Sequence, residues 1–152
     1  MVYQPHNCDL ITVGSCSDIW RLNLELGRFQ SPFVSDCPEM TCVEYSSELD
    51  SIAVGGIDGR IEFWDFEKKG KAAEIVPKLS NKGGMTEEIT CIKFQENTLN
   101  FFVGTERGKI IQYDMRYPLP IKTLSHHYRL PIKQMKFHPS KKLLSCDRKI
   151  IK

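Results

Sequence analysis

The clearest structural signal in the sequence is the run SIAVGGIDGRIEFWD at residues 51–65. Two short apolar segments flank Asp58-Gly59, a pair that tolerates the positive φ angles of a tight hairpin turn. The segments are rich in β-branched and aromatic residues, and the second one ends on Trp64-Asp65. We therefore predict two antiparallel strands that are joined by a two-residue turn at Asp58 and Gly59.

The same arrangement recurs along the chain. Versions of it occupy residues 10–23 and 100–114, and another begins at residue 143. Gly14, Gly55 and Gly104 take the same place in their hairpins, at spacings of about 41 and about 49 residues. WD-type propeller blades repeat about every 40 to 45 residues, and the longer spacing contains one loop insertion. An alternating apolar and polar segment precedes the later hairpins, and a short outer strand follows each complete one.

This repeat predicts an all-β fold class, a WD-repeat β-propeller fragment of about three blades plus part of a fourth. The predicted blade units are 1–36, 37–79, 86–125 and a truncated 126–152, with a loop insertion at 80–85. A ring of blades usually closes with four to eight of them. We therefore interpret the chain as a fragment and expect it to be poorly soluble or only partly folded alone.

The overall composition argues against several classes of protein. The 152 residues are 41% hydrophobic and 26% charged, with 21 Lys and Arg against 19 Asp and Glu. The formal net charge is +2, which is less basic than expected of a dedicated nucleic-acid-binding domain. The six cysteines include no Cys-x-x-Cys pair, so neither a zinc site nor a disulfide framework is expected. Apolar runs are too short to cross a membrane.

No catalytic motif emerges from the sequence. His126 and His127 are adjacent, and neighbouring side chains on a strand point to opposite faces, which makes them a poor metal chelate. The glycines at 55, 56 and 59 precede a strand, so no helix N-terminus follows them to hold a phosphate. We predict a protein that is not an enzyme, with no catalytic, metal or cofactor-binding residues, no cofactor and no small-molecule substrate.

Propeller blades often share a hydrogen-bonded set of a histidine, a Ser or Thr, a turn aspartate and the tryptophan of the WD dipeptide. Only part of this set is present here. In the last unit His126 or His127 offers the histidine, and we assign His127. The predicted structural positions are Asp58, Gly59, Trp64 and Asp65, then Tyr113 and Asp114, then His127, Ser145 and Asp147.

Basic residues concentrate near the end of the chain. Charge runs are usually solvated surface, but loops at one rim of a propeller could gather several of them against an RNA backbone or an acidic partner. The candidate contact residues are Arg129, Lys133, Lys136, Lys141, Lys142, Arg148 and Lys149.

The chain also resembles a narrower group, the nucleolar protein 10 family. The most specific match is Trp20–Glu25, because its Arg-Leu-Asn-Leu strand end is not generic WD-repeat sequence. The other matching segments are 8–14, 27–29, 59–65, 103–105, 112–114 with Arg116, 127–133 and 147–152.

This resemblance implies a role that composition and spacing do not. Members are nucleolar proteins of the small-subunit processome, which assembles and processes precursor ribosomal RNA. It thus implies a nuclear, nucleolar location, other small-subunit processome proteins as partners, and contact with precursor ribosomal RNA. The short apolar runs, in turn, predict no membrane association. The alternative is a WD-repeat adaptor of another pathway, such as a substrate receptor for ubiquitin ligation.

Overall fold

A computed structural model describes residues 1–77 and 86–152. Across those two ranges the regular structure is entirely β-strand, without a helix, and so without a helix that could span a membrane. Every strand pair is antiparallel, and the strands form four successive sheets.

The first two sheets are each a meander of neighbouring strands. Sheet 1 contains β1 (Val2–Gln4), β2 (Asp9–Thr12), β3 (Asp18–Asn23), β4 (Arg28–Phe29) and β5 (Phe33–Val34), and both β4 and β5 pair with β3. Sheet 2 contains β6 (Met40–Ser46), β7 (Ser51–Gly56), β8 (Ile61–Asp65) and β9 (Gly70–Ile75), paired in chain order.

The next two sheets repeat this plan. Sheet 3 contains β10 (Ile89–Phe94), β11 (Asn100–Thr105), β12 (Lys109–Asp114) and β13 (Tyr117–Ser125). Sheet 4 is the hairpin of β14 (Gln134–Phe137) and β15 (Leu143–Cys146), and a single bridge joins Cys146 to Ile151. Each sheet lies within one predicted unit, the unit boundaries themselves stay a prediction, and the predicted insertion at 80–85 lies outside the described residues.

The sheets pack against one another through side chains of alternating direction, as the two-residue period of a strand requires. On β8, Ile61 and Phe63 point toward sheet 3, whereas Trp64 points toward sheet 1. Trp64 stacks on Phe33 of sheet 1, with ring centroids 5.3 Å apart. Sheet 2 is therefore apolar on both faces, which explains why its strands β7 and β8 read as nearly continuous hydrophobic runs.

Three shared cores join the four sheets in series. Between sheets 2 and 3, Phe101 contacts Phe63, and Tyr113 stacks on Phe101. Between sheets 3 and 4, Phe102 and Ile110 pack with Ile132 and Met135. The hydrophobic effect thus holds neighbouring sheets together across their faces, and each of these three cores draws its residues from neighbouring sheets.

Two of the repeated glycines allow this close approach. A Cβ atom on Gly55 would lie 2.5 Å from a methyl carbon of Ile89, and one on Gly104 would lie 2.9 Å from Cβ of Ile132. Both distances are shorter than non-bonded carbon contacts allow. At Gly55 and Gly104 the Val-Gly step is therefore a packing requirement, because Ile89 and Ile132 lie directly over the glycine, whereas an added Cβ on Gly14 would have no atom within 4 Å.

The hairpin after β7 differs from its sequence prediction. The turn covers 57–60 and not two residues, because the Gly59 N–H donates to Gly56 O and the Gly56 N–H donates to Arg60 O. Only Gly59 takes a positive φ, of 81°. Asp58 instead accepts the Arg60 N–H at 3.1 Å, so its side chain shapes the turn and its backbone stays in an ordinary conformation.

The outer strand β13 is exposed along all nine residues, as expected of an edge that carries Pro118 and Pro120. Its register with β12 shifts between Gln112 and Asp114, beside those prolines. A proline cannot donate a backbone hydrogen bond. The register shift keeps Pro118 and Pro120 out of the regularly paired part of the ladder between β12 and β13.

Candidate functional site

A buried polar network lies at the start of sheet 4. His126 Nδ1 lies 2.9 Å from Asp147 Oδ2, and His126 Nε2 lies 2.8 Å from Ser145 Oγ. All three side chains are buried. The structure therefore places His126 in the histidine position that we had assigned to His127. His127 is exposed and packs edge-on against Tyr128.

The network ties a loop to a turn. Asp147 Oδ1 also accepts the N–H groups of Lys149 and Ile150, at 2.6 and 2.8 Å. Burial alone would raise the pKa of Asp147, but these two backbone donors, together with His126, outweigh it and hold the pKa at about 2. The loop that begins at His126 and the turn that begins at Asp147 are thus fixed relative to each other.

The pH dependence of stability should show the contribution of Asp147. Its folded pKa of about 2 lies below the ~3.9 of an unfolded aspartate. Such a carboxylate stabilises the fold above its unfolded pKa, and the contribution is lost as the pH falls from about 4 to about 2. We therefore expect Asp147→Asn to lower the Tm near neutral pH, with a difference that shrinks in acid. Melts followed by circular dichroism test this, and a Tm difference undiminished at about pH 2.5 would contradict it.

The connectivity of Asp147, His126 and Ser145 is that of a hydrolase triad, in which a serine is activated by a histidine that an acid orients. Ser145 is 5% exposed and His126 is 2% exposed, and a nucleophile must reach its substrate. The contacts of this arrangement satisfy buried polar groups and fix the surrounding backbone.

Sheet 2 has a different buried acceptor, which is not among the positions predicted from the sequence. Glu62 on β8 is 1% exposed and accepts hydrogen bonds from Ser35 Oγ at 2.7 Å, from Trp64 Nε1 at 3.1 Å and from the Asp36 N–H at 3.2 Å. The indole of the WD dipeptide therefore donates to Glu62 and not to a serine or threonine. A carboxylate two residues before the tryptophan, on the same strand face, is the signal that could have revealed it.

Sheet 3 also has a buried carboxylate that accepts hydrogen bonds, and it belongs to Glu87. Glu87 is 3% exposed, accepts from Thr105 Oγ1 at 2.9 Å and pairs with Lys109 Nζ at 2.7 Å. At the opposite strand end, Asp114 is held by Arg116, whose guanidinium lowers the pKa of that carboxyl to about 2. Asp65 caps the equivalent turn in sheet 2 by accepting the Glu67 N–H at 2.9 Å.

One group of acids in the described ranges is close enough to suggest a metal, namely Asp36, Glu62 and Glu74. The ammonium of Lys71 already lies among them, 2.9 Å from Glu74 and 3.7 Å from Glu62, with an ion pair to Asp36. A lysine therefore supplies the positive charge that these carboxylates require.

The predicted basic cluster divides into separate surfaces. Lys141 and Lys142 lie in the turn that joins β14 to β15, next to the Phe137–Leu143 pair. Arg148 and Lys149 follow the other end of β15, beyond the Gln134–Cys146 pair. Strands rise about 3.3 Å per residue, so the length of the hairpin separates the two groups and they cannot form one surface.

The remaining predicted residues distribute between these ends. Lys133 donates its backbone N–H to Cys146 O, which places it near the end that carries Arg148. Lys136 lies within β14 and is exposed. Arg129 lies in the loop before β14 with a φ of 51°, close to the turn at Gly108, where an added Cβ would lie 2.9 Å from Arg129 Cα.

Four antiparallel sheets that follow one another in the chain and pack face to face through shared cores define a β-propeller domain. A protein-family model described as "Nucleolar protein 10-like, N-terminal domain", a β-propeller model, matches residues 1–152. The chain therefore belongs to the nucleolar protein 10 family, as its sequence resemblance predicted.

Individual relatives agree with this assignment. Over 99% of its length the chain is 37% identical to "Nucleolar protein 10" of Danio rerio and 35% identical to that of Homo sapiens. Over its whole length it is 29% identical to "Ribosome biogenesis protein ENP2" of Saccharomyces cerevisiae. The chain spans 22% of the length of each of these relatives.

Proposed function

We propose that this protein is a non-catalytic propeller scaffold in nucleolar assembly of the small ribosomal subunit, acting with other small-subunit processome proteins on precursor ribosomal RNA. The observation that carries the proposal is the family match over residues 1–152, together with relatives that are named nucleolar proteins and ribosome biogenesis proteins. The chain is accordingly assigned to the nucleus and nucleolus.

The polar chemistry of the domain supports a scaffold. The best acid, base and nucleophile arrangement is the one at His126, and it is buried. The buried carboxylates Glu62, Glu87 and Asp147 are all occupied by hydrogen bonds within the domain. These groups stabilise the sheets, which leaves the exposed rims and outer strands for contacts with partners.

Affinity purification of the tagged, intact protein tests the proposal. We expect recovery of small-subunit precursor proteins and precursor ribosomal RNA, because a scaffold remains bound while the particle matures. Parallel samples treated with ribonuclease separate protein contacts from contacts that RNA bridges, and an untagged strain controls for background. Recovery of ubiquitin-ligase subunits without ribosomal precursors would contradict the proposal and favour the adaptor alternative.

A further inference from the structure

One rim of the domain carries a compact group of exposed side chains that the buried network does not use. The loop at 126–131 and the turn at 147–150 lie together there, because His126 and Asp147 join them. The exposed residues of these two segments are all cationic or aromatic. We call this group the basic rim patch, and it consists of His127, Tyr128, Arg129, Arg148 and Lys149.

Backbone hydrogen bonds hold the two segments of the patch in a fixed geometry. The Arg129 N–H donates to His126 O, and the His126 N–H donates to Gly108 O. The turn is closed by the two backbone bonds to Asp147. Because its backbone is fixed, the patch would lose little conformational entropy when it binds a ligand.

The charges of the patch are available for a partner. Within the described residues Arg129, Arg148 and Lys149 form no ion pair with an acid. The same rim also carries two acids, Glu88 and Glu106, which flank the strands of sheet 3 and are joined by a hydrogen bond from the Glu106 N–H to Glu88 O. In sheet 2, by contrast, the cation at the same rim is already neutralised, because Arg60 forms an ion pair with Asp58.

An aromatic ring lies at the centre of the patch. Tyr128 is 48% exposed, Lys149 Nζ lies 4.6 Å from its ring centroid, and the His127 ring packs against it edge-on at 5.1 Å. A half-exposed ring with a lysine over one face matches the chemistry of single-stranded nucleic acid, whose bases stack on aromatic faces while phosphates meet Lys and Arg. An acidic peptide would use the cations but has no need of the ring.

We propose that the basic rim patch is a binding site for single-stranded RNA, in which Tyr128 stacks on a base and Arg129, Arg148 and Lys149 contact phosphates. The inference rests on the proposed function only in that ribosome assembly supplies the RNA. The proposed site is smaller than the predicted set of basic residues, because Lys141 and Lys142 lie at the far end of the β14–β15 hairpin.

Fluorescence anisotropy of the intact protein with a labelled oligouridine of about 20 nucleotides tests the site. Combined replacement of Arg129, Arg148 and Lys149 by alanine should raise the Kd at least about tenfold and lower the slope of log K against log salt by about 2. The matched control replaces Lys136, Lys141 and Lys142 by alanine, which removes the same charge elsewhere and should change the Kd less than about twofold.

A second variant separates stacking from charge. Tyr128→Ala should weaken binding about tenfold while leaving the salt slope unchanged, and Tyr128→Phe should retain binding. Equal losses in the two charge variants would overturn the site. So would a Tyr128→Ala protein that binds like the parent, or a polyglutamate peptide that displaces the RNA at equal charge, which would assign the patch to an acidic protein.

The two proposals fail separately. If the oligonucleotide results are negative while ribosomal precursors still co-purify with the protein, the RNA site is wrong and the scaffold stands. If no ribosomal precursors co-purify while the patch variants lose RNA binding as expected, the site stands and the assigned pathway is wrong.

Discussion

Replacing Phe101 by alanine should lower the free energy of unfolding by about 4 kcal/mol, the cost of deleting a large buried aromatic side chain. Phe101 is 0% exposed and contacts Phe63 of sheet 2 as well as Phe94 and Tyr113 of its own sheet. The cavity would open at the junction of two sheets, so the loss should destabilise both. Urea denaturation of the purified protein measures it.

The matched control is Phe29→Ala. Phe29 is 65% exposed and its main aromatic neighbour is Trp20, at 6.1 Å. Its loss should cost less than about 1 kcal/mol, as for most surface substitutions. Equal destabilisation by the two variants would show that the core between sheets 2 and 3 does not stabilise the domain as we describe.

Replacing Glu62 by alanine should cost about 3 kcal/mol, because it leaves two buried donors and one part-buried donor without an acceptor. The donors are Ser35 Oγ, the Trp64 indole N–H and the Asp36 N–H. Ser35 and Asp36 lie between sheets 1 and 2, so the variant should also loosen the junction that Trp64 forms with Phe33. Urea denaturation gives the free energy, and hydrogen exchange of the amides of β6 reports the loosening.

Glu67→Ala is the matched control for the carboxylate. Glu67 is exposed in the turn after β8, and its removal should change the free energy of unfolding by about 0.5 kcal/mol or less. If Glu62→Ala were as mild as this control, the three hydrogen bonds would not contribute to stability in the way their burial suggests.

Much of the fold could be predicted because the repeat is written in local residue patterns. Alternating apolar residues mark β10 and β6, and the Val-Gly step marks the strand that the next sheet crosses. The length of the turn at Asp58 could not be predicted, because the preference of Asp-Gly for short hairpins competes here with the hydrogen bond from Cys37 Sγ to Asp58, at 3.2 Å, which comes from the preceding loop.

The site was less accessible to sequence reasoning. His126 and His127 are adjacent, and the His126 ring is the one held inward by Asp147 and Ser145, about 20 residues further along the chain. The role of Glu62 depends on Ser35, which is distant in sequence. The basic residues cluster in the sequence but separate in space, because the β14–β15 hairpin sends its turn to one rim and its strand ends to the other.

The most direct test of the central claim is pulse labelling of ribosomal RNA after depletion of the protein from its own cells. A scaffold of small-subunit assembly predicts a selective loss of newly made small-subunit ribosomal RNA, with the large-subunit RNA maintained and rescue by the wild-type protein. Unchanged synthesis of both RNAs after depletion would contradict the account.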